Sequence, residues 1–277
     1  RVPGEKHEGY CSDVYTDQAL QWLKARDAKK PFCMMLHFKA PHHSYEYPER
    51  WKDYLKDTLI PEPPSLHEDV EKTSPLLKGV HTWHMVDKNG YFGRHENDEE
   101  PPMWPHDGSI RSKTSAAYQH MIHKYLRAVG AVDDNIKRVI DYLEKERIKD
   151  DTLIIYTSDQ GYWLGQHGLY DKRLILEGSL KMPFIVRYPK EIKAGSVSEA
   201  LCSNVDFAPT LLDMAGVAVP KAMQGFSLRP LLRGEKLANW RKGIWYAYWA
   251  TGHYHWGVRT HEHKLIRFAG TSDYEFY

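Results

Sequence analysis

Hydrophobic positions recur at spacings of three and four from Thr114 to Ile148: Leu126, Val129, Val132, Ile136, Val139, Ile140 and Leu143. One long amphipathic helix is therefore predicted there. A shorter helix is predicted over Thr16–Lys24, where Thr16 offers a cap and Ala19, Leu20 and Leu23 share a face. Three short apolar runs read as strands: PFCMMLHF from Pro31, Leu153–Thr157, and Pro183–Tyr188. The first two are nearly continuous in apolar residues, the pattern of strands covered on both faces, so a layered α/β fold with a largely parallel sheet is expected. A short helix is predicted at FAPTLLDMAG, with Pro209 in its first turn and Gly216 near its end. From Trp240 the pattern changes to runs at Ile244–Trp249, Trp256–Thr260 and Lys264–Phe268, read as a small antiparallel C-terminal sheet. Residues 45–112 show no period and carry many Pro, His and Trp, which favours a lid.

In 277 residues, 38 Lys and Arg balance 37 Asp and Glu, and no basic block is present, which disfavours nucleic acid as partner. No apolar run is long enough to span a bilayer. The three cysteines, Cys11, Cys33 and Cys202, form no C-x-x-C spacing, and Cys33 is expected to be an inert core thiol. Nine Trp, 18 Tyr and 16 His suit a cleft for a polar ligand with apolar faces, such as a sugar.

Two polar clusters follow the predicted strands. Asp159-Gln160 pairs a charged with a neutral oxygen, the hard ligands preferred by calcium or magnesium. Gly161, Gly165 and Gly168 would let backbone approach a ligand, and Lys172 offers a mobile cation. Taken alone, these residues suit a plain turn better, with Asp capping a helix and Lys in water. Lys39-Ala40-Pro41-His42-His43 is the second cluster. An imidazole there can serve as general acid, and a Lys and a His on separate strand ends would cradle an anion if a parallel sheet brought them to one edge. The trio Asp133-Asp134-Asn135 hints at metal, but successive helical positions point apart, so a solvated or capping role is preferred.

The segment TSDQGYWLGQHGLYDKR, Thr157 to Arg173, closely resembles the metal-binding and lysine-bearing stretch of type I, formylglycine-dependent sulfatases, and Lys39–His42 resembles their K-A-P-H segment. YLRAVGAVDDN from Tyr125, SLKMPFIVRYP from Ser179, SNVDFAPTLLDMAG from Ser203 and GVRTHEHKLI from Gly257 extend the likeness over most of the chain. The glycan sulfatases resembling N-acetylglucosamine-6-sulfatases are the nearest subgroup. The resemblance implies an alkaline-phosphatase-like α/β layered sheet, partial here, with a catalytic core over 1–235 and a small, truncated antiparallel subdomain over 236–277. It implies calcium ligation by Asp159 and Gln160, sulfate contact by Lys172, and sulfate binding or protonation of the leaving alcohol by His42. Lys39 is an implied substrate contact or a support of its strand tip, His43 faces the substrate or the solvent, His253 and His255 are implied sugar contacts or surface aromatics, His167 is a residue that orders its loop, and Arg173 is either a substrate contact or the partner of an acidic neighbour. A sulfated carbohydrate substrate and a secreted, periplasmic or lysosomal setting also follow from the family.

The family's nucleophile is a formylglycine made within C/S-x-P-x-R, and no such motif occurs in these residues. Cys11 is followed by SDVY, Cys33 by MMLH and Cys202 by SNVD. The early Asp pair of the family's metal site is missing as well. A fragment that lacks its N-terminal segment, and with it activity, is therefore expected. The alternatives are a phosphodiesterase or phosphonate monoester hydrolase of the same superfamily and a non-catalytic glycan-binding relative.

Overall fold

The periodicity between Thr114 and Ile148 becomes a single helix, Ile110–Lys145, in the computed structural model, which describes residues 7–69, 72, 74, 84–87, 89–249, 254–270 and 272–277. Ser109 starts it four residues earlier than the apolar pattern indicates, because its hydroxyl accepts from the Ser112 N–H at 3.2 Å. The chain divides into two compact units, described separately: residues 1–69, 79–149 and 164–170, and residues 70–78, 150–163 and 171–277.

The first unit is built on this helix and an earlier one, Cys11–Ala25. Thr16 lies inside that helix rather than capping it, and its hydroxyl donates back to the Ser12 carbonyl at 2.9 Å. Leu23, Ala117, Met121, Ala128 and Ala131 are buried. Polar residues tie the helices as firmly: Asn135, fully buried, donates to Asp13 at 2.7 Å, and Asp13 also takes a two-pronged bond from Arg50. Burial pushes the Asp13 carboxyl up, but the bonds from Arg50 and Asn135 outweigh it and hold the group below the usual carboxylate range. Asp134 accepts from the Trp51 indole at 2.8 Å. Asp134 and Asn135 thus fasten the unit together, whereas Asp133 is exposed, as a solvated role requires.

Within the stretch 45–112, residues 54–61 pack on the long helix rather than standing off it as a lid. Gln119 bonds both the N–H and the carbonyl of Ile60, His123 donates toward the carbonyls of Leu55 and Thr58, Arg127 donates to the Tyr54 carbonyl, and Tyr118 to that of Pro61. Helix side chains replace the ladder an irregular backbone lacks, which satisfies its buried polar groups without regular structure.

Gly130 shows how close this packing is: a Cβ there would lie 2.5 Å from ring carbons of Trp51. Alanine normally favours a helix over glycine by ~1 kcal/mol. Here Gly130→Ala is expected to destabilise by about 1–3 kcal/mol, because the anchored indole must shift. A lowered urea midpoint checks this, and an unchanged or raised midpoint would place the indole elsewhere.

Residues 31–39 are assigned neither strand nor helix. Exposure alternates along the run, with Met35 72% exposed, so the expected two-sided burial is not found. Cys33 is exposed, not a core thiol.

After β1 (Ile154–Thr157) of the second unit come the two-residue strands β2 (Trp163–Leu164) and β3 (Tyr170–Asp171), and then β4, Phe184–Arg187. β1 pairs with β4 antiparallel, Ile154 opposite Arg187 and Thr157 opposite Phe184. The expectation of a largely parallel sheet is therefore not met among the described strands. These strands are half-buried, with Tyr156 and Ile185 exposed. A helix at Phe207–Met214 follows, and Phe207 stacks on Phe184 with centroids 5.2 Å apart.

The C-terminal runs form an antiparallel sheet in the order β5 (Gly243–Tyr248), β6 (His255–Thr260), β7 (Lys264–Phe268) and β8 (Tyr274–Phe276). Its strands alternate as a one-sided sheet requires: Lys264, Ile266 and Phe268 are buried while Leu265 and Arg267 are exposed. Ile266 and Phe268 join Ile175 in a core. Glycine is needed at Gly257, where a Cβ would meet the Leu265 carbonyl at 2.1 Å. No helix among the described residues is long and apolar enough to cross a membrane.

Candidate functional site

The strand β1 delivers Ser158, Asp159 and Gln160 into a loop. Asp159 is exposed and Gln160 half-buried. Ser158 Oγ bonds Asp159 Oδ1 at 3.2 Å and the Gln160 carbonyl at 3.0 Å, which fixes the bend that turns both side chains off the strand. Gly161 then donates to the Ser179 carbonyl at 2.8 Å, and a Cβ on it would strike the Gly178 carbonyl at 2.2 Å. This glycine serves close approach of backbone to backbone, not of backbone to ligand. Gly165 and Gly168 have φ of +93° and +67°, so they make turns that a side chain would strain. His167 ties its loop down, with Nδ1 2.7 Å from Glu68 Oε2 and its N–H on Ser65 Oγ.

Lys172 lies mostly buried, with Nζ 3.6 Å from Asp171 Oδ1 and 5.8 Å from the Tyr162 ring centroid. Arg173 pairs with the same carboxylate. Asp171 thus faces two cationic side chains. Asp159, Gln160 and Lys172 belong to one unit.

In the other unit, His42 is exposed and Lys39 stands exposed at the end of the run 31–39. His42 Nδ1 lies 2.7 Å from the His43 carbonyl. A carbonyl only accepts, so Nδ1 carries the proton and Nε2 is the nitrogen that can take or release one. His43 is half-buried, its Nε2 3.1 Å from His95 Nε2.

His255 stands differently from the substrate contact expected. It is fully buried, and its Nε2 accepts the Ile175 N–H at 3.1 Å while its ring stacks on Phe268. A side chain without accessible surface supports the fold and cannot meet a sugar. His253 lies outside the described residues. The neighbouring Glu177 went unremarked in the sequence. It bonds Lys264 at 2.8 Å and Arg259 at 3.0 Å, and although burial pushes its carboxyl up, these bonds hold it below the usual range.

Asp159 and Gln160 fit a calcium ion in the kind of donor they offer, hard carboxylate and carboxamide oxygens, but two side chains are only part of the roughly six to eight ligands calcium takes. Among the described residues, no group of three or more His, Cys, Asp or Glu completes such a shell.

The sequence model of the family described as "Sulfatase" matches residues 2–217. The chain belongs to the sulfatase family. A second family model, "N-sulphoglucosamine sulphohydrolase, C-terminal", matches residues 165–277. The chain is 39% identical to an N-acetylglucosamine-6-O-sulfatase of Bacteroides thetaiotaomicron over 96% of its own length and 55% of that protein's. It is 30% identical to the multifunctional alkaline phosphatase superfamily protein PehA of Trinickia caryophylli, over 90% of this chain and 46% of that protein. Among solved structures, that of BT4656 in complex with its substrate D-glucosamine-2-N,6-O-disulfate superposes with a TM-score of 0.87 at 36% identity, covering 98% of this chain and 63% of the other. The phosphonate monoester hydrolase of Silicibacter pomeroyi gives 0.77 at 25% identity over 97% of this chain and 53% of its own. The sulfatase chain thus has the α/β fold of the alkaline phosphatase superfamily, and it spans about half the length of the curated relatives it matches.

Proposed function

We propose that this sulfatase chain contributes to a calcium-dependent hydrolase that removes sulfate from a sulfated glucosamine-containing glycan. The likeness to a glycan sulfatase solved with a disulfated glucosamine carries this reading, since it runs through both clusters at 36% identity. Asp159 and Gln160 are assigned to calcium, which when bound polarises sulfate oxygens. Lys172 contacts the sulfate, and its positive charge stabilises negative charge developing there. His42, exposed and with Nδ1 committed to a carbonyl, uses Nε2 to bind the sulfate or protonate the leaving alcohol. Lys39 and His43 face the substrate. The formylglycine nucleophile is not supplied by these residues, which hold no C/S-x-P-x-R, so the 277 residues alone are inactive. The division into a core over 1–235 and a C-terminal subdomain over 236–277, and an extracytoplasmic setting, secreted, periplasmic or lysosomal, belong to the same reading.

A phosphonate or phosphodiester substrate is the second reading, favoured by the 0.77 TM-score with a phosphonate monoester hydrolase. The full-length protein should be assayed on matched 6-sulfated glucosamine, aryl phosphonate and aryl phosphodiester substrates. Preferential release of sulfate is expected, with Lys172→Ala lowering it by at least about a hundredfold, the scale of one lost oxyanion donor. Phosphonate turnover outrunning sulfate turnover would overturn the sulfatase assignment, and binding of the glycan without turnover of any ester would mark a non-catalytic relative.

A further inference from the structure

Asp171 and Arg173, the two neighbours of Lys172, have φ of +73° and +100°. Neither is glycine, so both hold a strained left-handed backbone, which persists only where the surroundings enforce it. On the far side of Lys172 the enforcement comes from one strand of the C-terminal sheet, within the same unit. The inner face of β6 presents His255, Gly257 and Arg259 at alternate positions, and each receives a part of the segment 175–177. His255, with no exposed surface, accepts the Ile175 N–H at Nε2, 3.1 Å away. Gly257 makes room for the Ile175 side chain, since a Cβ there would lie 2.9 Å from Ile175 Cδ1. Arg259 donates from Nε to Glu177 Oε1 at 3.0 Å, and Lys264 of the adjacent β7 reaches the same oxygen at 2.8 Å.

Ile175 lies outside any strand or helix, so its buried N–H must find an acceptor elsewhere. A backbone N–H can only donate, so His255 meets it with an unprotonated Nε2. The imidazole is held in place by its cross-strand neighbours: Tyr248 on β5 and Phe268 on β7 stand directly opposite His255, with ring centroids 5.3 Å from its own. The preceding N–H, of Leu174, goes to Ser179 Oγ at 3.3 Å. Side chains thus fix the backbone two and three residues after Lys172.

We propose that β6 is the template for the Lys172 loop and that His255 is a positioning residue, acting on the sulfate only through Lys172. The role given to Lys172 rests on the sulfatase reading; the template does not. A displacement of about 1 Å in a positioned group costs on the order of a hundredfold in rate, so a buried imidazole remote from the substrate can govern turnover.

Kinetics and amide hydrogen exchange of the full-length protein test this. His255→Phe keeps a ring between Tyr248 and Phe268 but removes the acceptor, and His255→Gln returns an acceptor oxygen. On a 6-sulfated glucosamine substrate, His255→Phe should lower kcat by about ten- to a hundredfold with KM within about threefold, and His255→Gln should recover most of the loss. Adding His255→Phe to Lys172→Ala should lower kcat by no more than about a further twofold, because one acts through the other. Amides of residues 174–177 should exchange at least about tenfold faster in His255→Phe, with those of β1 unchanged, and His255→Gln should bring them back. Glu177→Ala removes a side chain that is 50% exposed and so spares the core while loosening the same segment. It should lower kcat about three- to tenfold, again with no added effect on Lys172→Ala, and it serves where His255→Phe does not fold. A kcat within about twofold of native in either variant, or losses that multiply in full when combined with Lys172→Ala, would overturn the positioning role. Unchanged exchange at 174–177, exchange rising equally in β1, or no recovery in His255→Gln would overturn the template. Native activity in Lys172→Ala, or no sulfate release by the native protein, would remove the positioning role together with the sulfatase reading, and the exchange rates would still decide the template.

Discussion

Replacing Asp159 with alanine is expected to abolish calcium-dependent sulfate release while leaving the metal-free fold intact. The two halves of that result have separate causes. Asp159 is exposed, and its bond in the described structure is the 3.2 Å contact with the hydroxyl of Ser158. Surface groups of that kind contribute little to folding, so stability without calcium should change by less than about 0.5 kcal/mol. The carboxylate is nevertheless the charged member of the proposed ligand pair, and losing it removes the strongest oxygen from the shell. Metal polarisation of a transferring group is worth several kcal/mol, which corresponds to a loss of roughly a thousandfold or more in kcat.

Calcium titration of thermal stability separates this from a general structural defect. A ligand at a hundred times its Kd stabilises the native state by about 2.7 kcal/mol. The unsubstituted full-length protein should show such a gain and Asp159→Ala should show little of it, with Gln160→Ala between the two. Wild-type turnover or a wild-type calcium response in Asp159→Ala would refute the ligand assignment.

What could be read from the residues depended on whether their partners were local. The long helix, the Phe207–Met214 helix and the C-terminal strands were legible, because periodicity and turn residues are properties of consecutive positions. The antiparallel pairing of Ile154–Thr157 with Phe184–Arg187 was not, since a short apolar run carries no direction. Nor was the packing of residues 45–61. Gln119, His123 and Arg127 look like the wet face of an amphipathic helix, yet each bonds a backbone carbonyl far away in sequence. A polar side chain does not announce whether water or a carbonyl will satisfy it.

The site divides along the same line. Asp159, Gln160, Lys172 and the Lys39–His43 cluster stood out as short motifs, whereas the chain from His43 through His95 to Asp98 spans residues 55 positions apart, none of them unusual in its own neighbourhood. His255 shows the opposite error. An aromatic-rich loop made it look like a sugar contact, while the structure buries it together with Gly257 on one face of its strand, opposite to what the apolar Trp256 and Val258 suggest. Asp206 did have a local signal, the Ser203-x-x-Asp206 capping box, which marks a helix start but does not reveal the distant Arg241 that pairs with it.

That carboxylate is where the second large effect is expected: Asp206→Ala should destabilise the protein by about 3–5 kcal/mol, the usual consequence of removing one partner from a buried ion pair. Asp206 has no exposed surface. It accepts the backbone N–H groups of Ser203 and Phe226 at 2.9 Å each, and both its oxygens are gripped by Arg241, at 2.7 and 2.5 Å. The Arg241 side chain is only 13% exposed and lies between Phe226 and Trp240, 5.2 and 5.1 Å from their ring centroids. Truncation at Asp206 would therefore strand a guanidinium between aromatic faces and leave two backbone donors unmet. Asp206→Asn should cost less, because the carboxamide oxygen can still accept from one N–H. Combining Asp206→Ala with Arg241→Leu should recover part of the single-mutant loss, since the uncompensated charge is then gone. Urea unfolding followed by Trp fluorescence reads all three. A loss below about 1 kcal/mol in Asp206→Ala would mean that water reaches this pair, and a double variant no more stable than the single one would show that the two backbone donors, rather than the stranded charge, dominate the cost.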